Sequence, residues 1–490
     1  MNPAYLWLPI LFPVVCGAIL PKLRFPSKRM RNIYLMAVVL LNTVFTWAAL
    51  LNPTEGIHVL FHFTDVLTFS VHMDSMSRIF AGLVATLWPF AMLYAFSYME
   101  HDERSSVFFM FYTMSFGVTL GIAFASDLLT LYCFYEMLTL MTVPLVMHSF
   151  TRKAVHAARK YLYYMLGGTA FAFIGLVFII VYGHTIDFVP GGGLIAAEAQ
   201  SHDLLLQLVY VMTFCGFGAK AAIFPLHGWL PEASVAPTPV TALLHAVAVV
   251  KAGVFAIMRM TYCNFGADFL RGTYAQWICM ALAIITIIYG SSLAVKETHF
   301  KRRLAYSTVS NLSYILFGVT LMTPAGLAAG MQHMVIHAVM KICLFFCAGA
   351  VIHVTQRENV HELDGIGRKM PLTFIFFTAA GLSLTGIPPF GGFISKWSLA
   401  EAAMDVDGAM PVIGVAALLL SALLTAIYVL NVSVRAYFPV RGRANVPVGT
   451  HDPDWRMMLP IALFAVLSLV VGLMAKPFTD MIAQIAAQMF

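Results

Sequence analysis

Five charged side chains lie inside otherwise apolar stretches of this chain, where the neighbouring residues predict helices surrounded by lipid. These residues are Glu136, Lys220, Lys251, Lys341 and Lys396. On insertion scales a charged residue at the centre of a membrane helix costs about 2.5–3.5 kcal/mol, so five of them cost about 12–18 kcal/mol. Because spaced ionisable groups inside a membrane usually carry ions or protons, the five residues predict an ion or proton pathway.

Histidines extend this set of residues. His333, His337 and Lys341 are spaced at i, i+4 and i+8, which places all three on one face of a helix. His245 precedes Lys251 by six residues in an earlier apolar segment. Histidine titrates near neutral pH and can both accept and donate a proton, so these side chains fit a proton relay. A metal site at the two histidines of the stripe lacks an evident third ligand, and we predict no bound metal.

Two of the apolar segments contain helix-breaking residues close to a lysine. The interrupting residues are Pro225 after Lys220, and Gly386, Pro388 and Pro389 before Lys396. Proline removes a backbone donor, and such breaks are tolerated at membrane depth only inside protein or against water. Two broken segments, each with a lysine, hint at a structural repeat around a site at the membrane midplane. The connection after the first break holds His227 and Glu232, which either line a cytoplasmic mouth or lie in a solvated loop.

Composition assigns the chain to the membrane. Hydrophobic residues make up 60% of the 490 residues and charged residues 11%, whereas soluble proteins carry about 25% charged residues. We therefore predict an all-α polytopic membrane protein with about fourteen transmembrane helices. The predicted spans are 4–21, 32–51, 77–99, 107–125, 127–148, 160–182, 205–225, 237–260, 274–295, 303–323, 326–354, 372–403, 411–437 and 457–475.

The basic residues predict how the chain is oriented. Most of the 29 lysines and arginines lie in loops that follow odd-numbered spans, whereas the opposite side holds Arg78, Arg259, Arg271 and Lys476. Lysine and arginine accumulate on the cytoplasmic side of membrane proteins, so both termini are predicted to lie outside the cytoplasm. The formal charge of +6 is therefore mostly a topology signal. No basic stripe interleaved with aromatic residues occurs outside the spans, and we predict no nucleic-acid partner.

The sequence also lacks the common signatures of a bound cofactor. It contains no Gly-rich phosphate loop, no HExxH and no GxSxG, and no loop is long enough to form a soluble catalytic domain. We predict no cofactor in this chain, and we leave open whether it is a subunit of an enzyme.

Several motifs, in this order and at this spacing, resemble one group of membrane proteins. They are FYE at Glu136, GFGAKAAIFPLHGWLPEASVAPTPV at Lys220, KAGVFAIMR from Lys251, HMVIHAVMKICLFFCAGAVIH across Lys341, and LDGIGRKMP followed by TGIPPFGGFISK at Lys396. Over about residues 70–440 the chain is similar to the antiporter-like, proton-translocating subunits of respiratory complex I, Mrp-type cation/proton antiporters and membrane-bound hydrogenases. It is most similar to Mrp D-like or complex I M/N-like chains, because position 396 is a lysine and no long C-terminal lateral helix is expected.

The resemblance implies a division of the fold. The implied parts are N-terminal helices in residues 1–106, a first inverted repeat of five helices in 107–260, a second in 274–437, and a last helix and C-terminus in 457–490. One helix of each repeat, the seventh and the twelfth of the chain, is implied to be broken.

The resemblance also implies roles for individual side chains. Glu136 is implied to pair with Lys220 and to tune it, because a nearby carboxylate favours the charged amine. The residues implied to connect the two half-channels are Lys251, His333, His337 and Lys341. Lys396 is implied to exchange protons with the outside. The implied partners are other membrane subunits of an assembly in a prokaryotic-type cytoplasmic membrane, and any electron chemistry is implied to sit in those subunits.

We therefore predict a proton-translocating membrane subunit, with exchange of protons for Na⁺ left open. The alternative is a self-contained secondary transporter of a small solute or cation, which shares the broken helices but needs a substrate-shaped pocket. Charges spread along the sequence favour a pathway over a pocket. A non-conducting membrane anchor for a redox enzyme is disfavoured by the insertion cost of five buried charges. Which parent complex contains the chain stays open.

Overall fold

Helices form nearly all of the chain in the computed structural model, which describes residues 3–52, 56–64, 67–439 and 446–490. In chain order the helices are α1 (Trp7–Ile19), α2 (Lys28–Leu51), α3 (Ser75–Tyr98), α4 (Ser105–Phe124), α5 (Leu128–Val146), α6 (Arg152–Tyr182), α7 (Ala196–Ser201), α8 (Asp203–Gly218), α9 (Trp229–Ala233), α10 (Thr238–Ala246), α11 (Val249–Arg259), α12 (Ala267–Leu270), α13 (Tyr274–Lys296), α14 (Phe300–Thr320), α15 (Pro324–Thr355), α16 (Pro371–Thr385), α17 (Gly391–Met404), α18 (Ala409–Tyr437), α19 (Trp455–Leu473) and α20 (Ala475–Ala487).

The predicted helical membrane architecture is confirmed. Among the described residues, eleven helices are long and apolar enough to cross a membrane, when the segment Thr238–Phe265 is counted as one. The shorter helices α8 and α16 are also apolar. Each of the fourteen predicted spans coincides with one helix or with two consecutive helical segments. The count of fourteen crossings and the two inverted repeats stay predictions.

Short polar junctions separate consecutive long helices near residues 126 and 324, as the span boundaries predicted. Asp127 caps α5, and its Oδ1 accepts a hydrogen bond from the Thr130 amide at 2.7 Å. Thr323 caps α15, and its hydroxyl accepts from the Gly326 amide at 3.1 Å. Side-chain caps of this kind satisfy first-turn amides that have no partner within the helix. The chain can therefore reverse direction within a few residues.

Both segments with helix-breaking residues are interrupted. The predicted span 205–225 is helical only as α8, and a turn that contains Pro225 separates α8 from α9. The predicted span 372–403 is divided into α16 and α17. Gly386 ends α16 with φ of +92°, in the left-handed region that favours glycine.

A third interruption, which was not predicted, divides the predicted span 237–260 into α10 and α11. The amides of Val247 and Ala248 both donate to the Leu243 carbonyl, at 3.1 and 3.0 Å. Because one carbonyl accepts both hydrogen bonds, the regular ladder stops there and α10 is separated from α11. No glycine or proline lies in this stretch, so the sequence carries no signal for the break.

A short hairpin of two strands lies in the connection between α2 and α3. The strands β1 (His58–His62) and β2 (Thr68–Val71) form an antiparallel hairpin there. The strand β2 is tied to the junction before α5, because the Ser126 amide donates to the Ser70 carbonyl at 3.3 Å. The hairpin lies outside every predicted span and does not change the helical membrane architecture.

The helix α15 lies at the centre of the bundle. It contacts α3, α10, α14, α16, α17, α19 and α20, and nearly all of its residues are buried. Tyr94 of α3 stacks on Phe346 with ring centroids 3.9 Å apart. The helix α10 packs against Gly349 so closely that a Cβ there would lie 2.2 Å from Thr238. The polar face of α15 is therefore surrounded by protein on several sides.

A buried ion pair fixes the far end of α11. Arg259, which lies at the end of the predicted span 237–260, is 1% exposed and ends α11. Its guanidinium donates to both carboxylate oxygens of Asp74 and, at 2.9 Å, to the Ser77 hydroxyl. Burial raises the pKa of the Asp74 carboxyl, but the charge and hydrogen bonds of Arg259 outweigh burial and hold that pKa well below its ordinary value. The ionised pair therefore joins the start of α3 to α11.

We predict that Asp74→Asn lowers the free energy of unfolding by about 3–5 kcal/mol, because it leaves the buried guanidinium without a counter-charge. The double variant Asp74→Asn/Arg259→Gln should recover part of this loss, since it removes both charges. The measurement is thermal denaturation of the detergent-purified chain. Asp268→Asn is the control, because the Asp268–Arg271 pair is exposed and such pairs contribute about 1 kcal/mol or less. Equal losses in Asp74→Asn and the control would contradict the prediction.

Candidate functional site

The stripe of α15 predicted from the sequence is fully buried. His333, His337 and Lys341 have no exposed surface, and the two imidazole centroids are 5.8 Å apart. In each ring, Nδ1 has a hydrogen-bonding neighbour and Nε2 has none among the described residues. Buried polar atoms are normally hydrogen-bonded, so each free Nε2 is a position where a proton donor or acceptor fits.

The helix α11 brings Lys251 onto this stripe. Lys251 Nζ lies 2.7 Å from His337 Nδ1, and both side chains are fully buried. A hydrogen bond of this length needs an N–H on one nitrogen and a lone pair on the other. The two groups therefore hold at least one proton fewer than their combined maximum. Lys251 lies in the first turn of α11, directly after the unpredicted interruption.

The helix α17 places Ser395 and Lys396 beside the other histidine. Ser395 Oγ is 2.9 Å from His333 Nδ1. Lys396 Nζ donates to the carbonyls of Leu384 at 2.6 Å and Thr385 at 3.1 Å, which belong to the last turn of α16. The break after α16 leaves these carbonyls without helical partners, and a cation at the C-terminus of a helix is favourable. The second break thus supplies the binding partners of Lys396.

Tyr314 of α14 lies between His333 and Lys396. Its ring stacks on the His333 ring with centroids 5.2 Å apart, and Lys396 Nζ lies 5.2 Å from the centre of the same ring. A cation within about 6 Å of an aromatic face is attracted to it. The tyrosine therefore holds both side chains at one position along the bundle.

Lys341 and His245 differ in how the structure satisfies them. Lys341 Nζ donates to the Leu304 carbonyl at 3.0 Å and to the Ser307 hydroxyl, both on α14. His245 packs on Phe345 with ring centroids 4.7 Å apart. Both ring nitrogens of His245 are buried without a hydrogen-bond partner in the described part of the chain. The structure therefore brings His245 against α15 but does not link it to the hydrogen bonds of the stripe.

Lys220 and Glu136, which the resemblance implies to pair, lie near each other without a salt bridge between their side chains. Its ammonium donates to the backbone carbonyl of Tyr135 and lies 3.3 Å from the centre of the Tyr135 ring. Glu136 is half-buried, and its Oε1 is buried without a hydrogen-bond partner among the described residues. Lys220 and Glu136 are thus neighbours that share Tyr135, and α5 positions both.

Gly253 allows α11 to lie directly on the first break. A Cβ at this position would lie 2.7 Å from the Ala221 amide nitrogen and 2.9 Å from Lys220 Cβ. These distances are too short for any side chain unless the backbone moves. Gly253 therefore determines how closely Lys220 approaches the helix that carries Lys251.

His227 and Glu232 have different surroundings in the structure. A cavity of about 410 Å³ on the basic face is lined by Glu232, together with His299 and Lys301. Glu232 accepts a hydrogen bond from Lys160. The His227 ring instead meets the Tyr289 ring edge to face, with ring centroids 4.9 Å apart. Burial of the His299 ring lowers its pKa below the ordinary value for histidine, and the charge of Glu358 opposes this shift.

Sequence reasoning missed the uncharged partners of the charged residues. These are Tyr135, Leu304, Ser307, Tyr314, Leu384, Thr385 and Ser395. Tyr135 directly precedes Glu136 in the chain, and Ser395 directly precedes Lys396. This adjacency is the only feature of the sequence that could have pointed to these partners. Among the described residues, no group of three or more His, Cys, Asp or Glu side chains is placed to hold a metal ion.

Comparison with known proteins gives a consistent result. Residues 125–425 match the family model described as NADH:quinone oxidoreductase/Mrp antiporter, transmembrane. The chain is 28% identical over 506 residues to the chloroplastic NAD(P)H-quinone oxidoreductase subunit 5 of Chara vulgaris, covering 96% of this chain and 74% of that protein. It is 29% identical over 440 residues to Na(+)/H(+) antiporter subunit A1 of Staphylococcus haemolyticus (strain JCSC1435), covering 85% of this chain. The match spans 54% of that antiporter subunit, about half of its length.

A solved structure shares the fold over almost the whole chain. It is the structure of the membrane-bound sulfane sulfur reductase, an archaeal respiratory membrane complex, and the chains superpose with a TM-score of 0.86. The alignment covers 98% of this chain and 97% of that chain at 23% sequence identity. At this identity the similarity shows the fold alone.

We predict that Gly253→Ala lowers the free energy of unfolding by about 1–3 kcal/mol, because the new methyl group overpacks the backbone beside Lys220. The matched control is Gly167→Ala, since a Cβ at that helical glycine meets nothing within 4 Å. The control should leave stability unchanged or raise it, because alanine is a better helix former than glycine. Thermal denaturation in one detergent compares the two. Equal stability of the two variants would mean that the close approach at Gly253 does not matter.

Proposed function

Because the chain belongs to the NADH:quinone oxidoreductase/Mrp antiporter family of membrane proteins, we propose that it is a proton-translocating subunit of a larger membrane assembly. The observation that carries this proposal is the buried hydrogen bond between Lys251 and His337, 2.7 Å long. It lies on the same helix face as His333 and Lys341, and no carboxylate neutralises any of these groups within ion-pair distance in the described part of the chain. The arrangement suits groups that exchange protons.

The chemistry of the central pair supports a relay. At least one of the nitrogens of Lys251 and His337 carries a lone pair instead of a proton. A proton that arrives at the pair can therefore bind there. The imidazole accepts at one ring nitrogen and releases from the other. His337 Nε2, which is buried and unbonded, is the atom from which the proton leaves. Neighbours at one helical turn, His333 and Lys341, receive it through intervening water.

Water is the simplest bridge between these groups. His333 Nε2, His337 Nε2 and both nitrogens of His245 are buried polar atoms without a protein partner among the described residues. Buried water typically serves such atoms, with about three hydrogen bonds each. Lys396 exchanges protons with the outside at the second break, and Lys220 with Glu136 forms the other end of the pathway. The two broken segments support the division into repeats at 107–260 and 274–437.

Protons fit this pathway better than sodium ions do. Sodium is a hard cation that prefers oxygen ligands, whereas the stripe presents the nitrogens of Lys251, His333, His337 and Lys341. Glu136 is the carboxylate of the proposed pathway. We therefore propose that the stripe itself carries H⁺, and that any exchange against Na⁺ takes place elsewhere in the assembly.

The setting of the subunit follows from its relatives and its charges. The curated relatives are named as subunits of an NAD(P)H-quinone oxidoreductase and of a Na(+)/H(+) antiporter, and we propose that this chain likewise works beside other membrane subunits. The excess of basic residues on one face supports the cytoplasmic location of that face in a prokaryotic-type membrane, with both termini outside. Electron transfer, in an assembly that has it, takes place in the other subunits.

We predict that Lys251→Met lowers proton transport by the complete assembly by about tenfold or more, because it removes one partner of the central hydrogen bond. Transport is measured as acidification of vesicles that contain the assembly, and the amount of assembled subunit is measured beside it. Lys476→Met is the control, since Lys476 is an exposed lysine of α20. Normal transport by a fully assembled Lys251→Met variant would contradict the proposal. Transport of a solute by the chain alone would favour a self-contained transporter.

We also predict that His337→Gln slows transport while the subunit still assembles. The glutamine amide can accept a hydrogen bond from Lys251 but cannot take up a proton, so packing is kept and the relay is lost. The control is His361→Gln at an exposed position. The same vesicle assay compares the two variants. A transport rate equal to that of the control would show that protons do not pass through His337.

A further inference from the structure

A cleft with two chemically distinct levels opens on the basic face of the protein, away from the buried stripe. Its volume is about 530 Å³, and the start of α2, the end of α3 and the start of α19 form its walls. The outer level is lined by four cationic side chains, Lys28, Arg29, Arg31 and Arg456, and by one acidic side chain, Glu100. The inner level is apolar and consists of Ile33, Met36, Leu93 and Phe96.

Arg31 is a buried cation without an acidic partner. It is 7% exposed, and its guanidinium donates to the hydroxyls of Ser105 at 2.8 Å and Ser106 at 3.2 Å. The Phe109 ring lies 5.0 Å from its central carbon. No carboxylate lies within ion-pair distance of Arg31 in the part of the chain that the structure describes, unlike Arg259 with Asp74. Arg31 Nη2 also donates to Asn32 Oδ1 at 3.2 Å. Buried charges are normally paired, whereas neutral acceptors alone hold Arg31, so its positive charge is added to the field of the cleft.

The single acid of the cleft does not neutralise the remaining cations. The Glu100 carboxylate binds Arg456, with 2.6 Å between oxygen and nitrogen. Lys28 donates to the backbone carbonyl of Glu100 at 2.8 Å, so its charge is uncompensated. Arg29 is exposed and has no ion-pair partner among the described residues. The positive dipole end at the N-terminus of α2 adds to this positive site.

The face of α2 changes from charged to apolar with depth. Arg29, Ile33 and Met36 follow one another at i, i+4 and i+7, which places them on one side of the helix. At 1.5 Å per residue, this face runs about 10 Å from the charged level into the apolar level. Trp455, which is 65% exposed, stands at the charged level, where tryptophan favours the membrane–water interface. Such a groove matches an amphiphile with an anionic head and a hydrocarbon tail.

We propose that this cleft binds an anionic glycerophospholipid, with its phosphate against Arg29 and Arg31 and an acyl chain along Ile33 and Met36. Basic pockets between membrane helices recognise lipid headgroups in this way. A free phosphate ion would bind the cationic side chains but would make no contact with the apolar level of the cleft. An acidic segment of another subunit also leaves it unexplained, because a strongly acidic peptide has no hydrocarbon to place there. The site does not depend on the proposed transport function.

The test is native mass spectrometry of the full chain in its assembly, titrated with phosphatidylglycerol or with phosphatidylcholine of the same acyl chains. We expect the wild-type protein to bind phosphatidylglycerol more tightly. Arg29→Gln should weaken this binding about fivefold, the usual effect of one basic residue near an anionic lipid. Arg31→Gln should weaken it by a similar factor. Arg152→Gln, which removes an exposed arginine of the same face outside the cleft, should leave it unchanged.

Further variants and competitors distinguish the lipid from other possible ligands of the cleft. Ile33→Ser should weaken binding of phosphatidylglycerol, because it makes the apolar level polar, and glycerol phosphate without acyl chains should not compete. Arg29→Gln changes an exposed residue, so its result does not depend on the folding of the more buried Arg31 variant. Equal affinity of Arg29→Gln and Arg152→Gln would overturn the proposal. Complete competition by inorganic phosphate would assign the cleft to a free anion. Binding to the isolated chain but not to the assembly would assign it to a segment of another subunit.

Discussion

A lysine inside a membrane helix needs hydrogen-bonding partners, and the structure supplies partners other than carboxylates to the four lysines of the proposed pathway. Lys251 uses an imidazole, Lys341 a hydroxyl and a carbonyl, Lys220 a carbonyl and an aromatic ring, and Lys396 the carbonyls at a broken helix end. An acidic partner would fix each lysine in its charged form. Neutral acceptors satisfy the amine without fixing its charge, and this is the property that a proton pathway needs.

The helix α11 separates a salt-bridged charge from a lysine that has no carboxylate partner within ion-pair distance among the described residues. Arg259 at its end is bound to Asp74 in a buried ion pair, which anchors the helix. Lys251 lies eight residues earlier, about 12 Å away along the helix axis, and contacts an imidazole. Between them, Gly253 lets the broken segment around Lys220 approach. One helix thus carries a salt-bridged arginine, a close packing contact and a lysine that is hydrogen-bonded to an imidazole.

The sequence predicted the helices and the stripe because both follow from periodicity and hydrophobicity. His333, His337 and Lys341 share a face by helical spacing alone, and Pro225, Gly386, Pro388 and Pro389 lie between helical segments. The break between α10 and α11 could not be predicted, because Val247 and Ala248 are ordinary helix residues and tertiary packing overrides their preference. The ion pair of Arg259 was not predicted because its partner Asp74 is remote in the chain. The neutral acceptors were missed because carbonyls and hydroxyls occur in every helix.

The central claim is that Lys251 and His337 act as one proton-exchanging unit. A double-variant cycle tests it most directly, with transport rates of the complete assembly for Lys251→Met, His337→Gln and the two changes combined. Residues that act as a unit give strongly non-additive effects. The account predicts that the double variant transports no more slowly than the slower single variant. Losses that multiply, so that each change slows transport by its own factor regardless of the other, would contradict it.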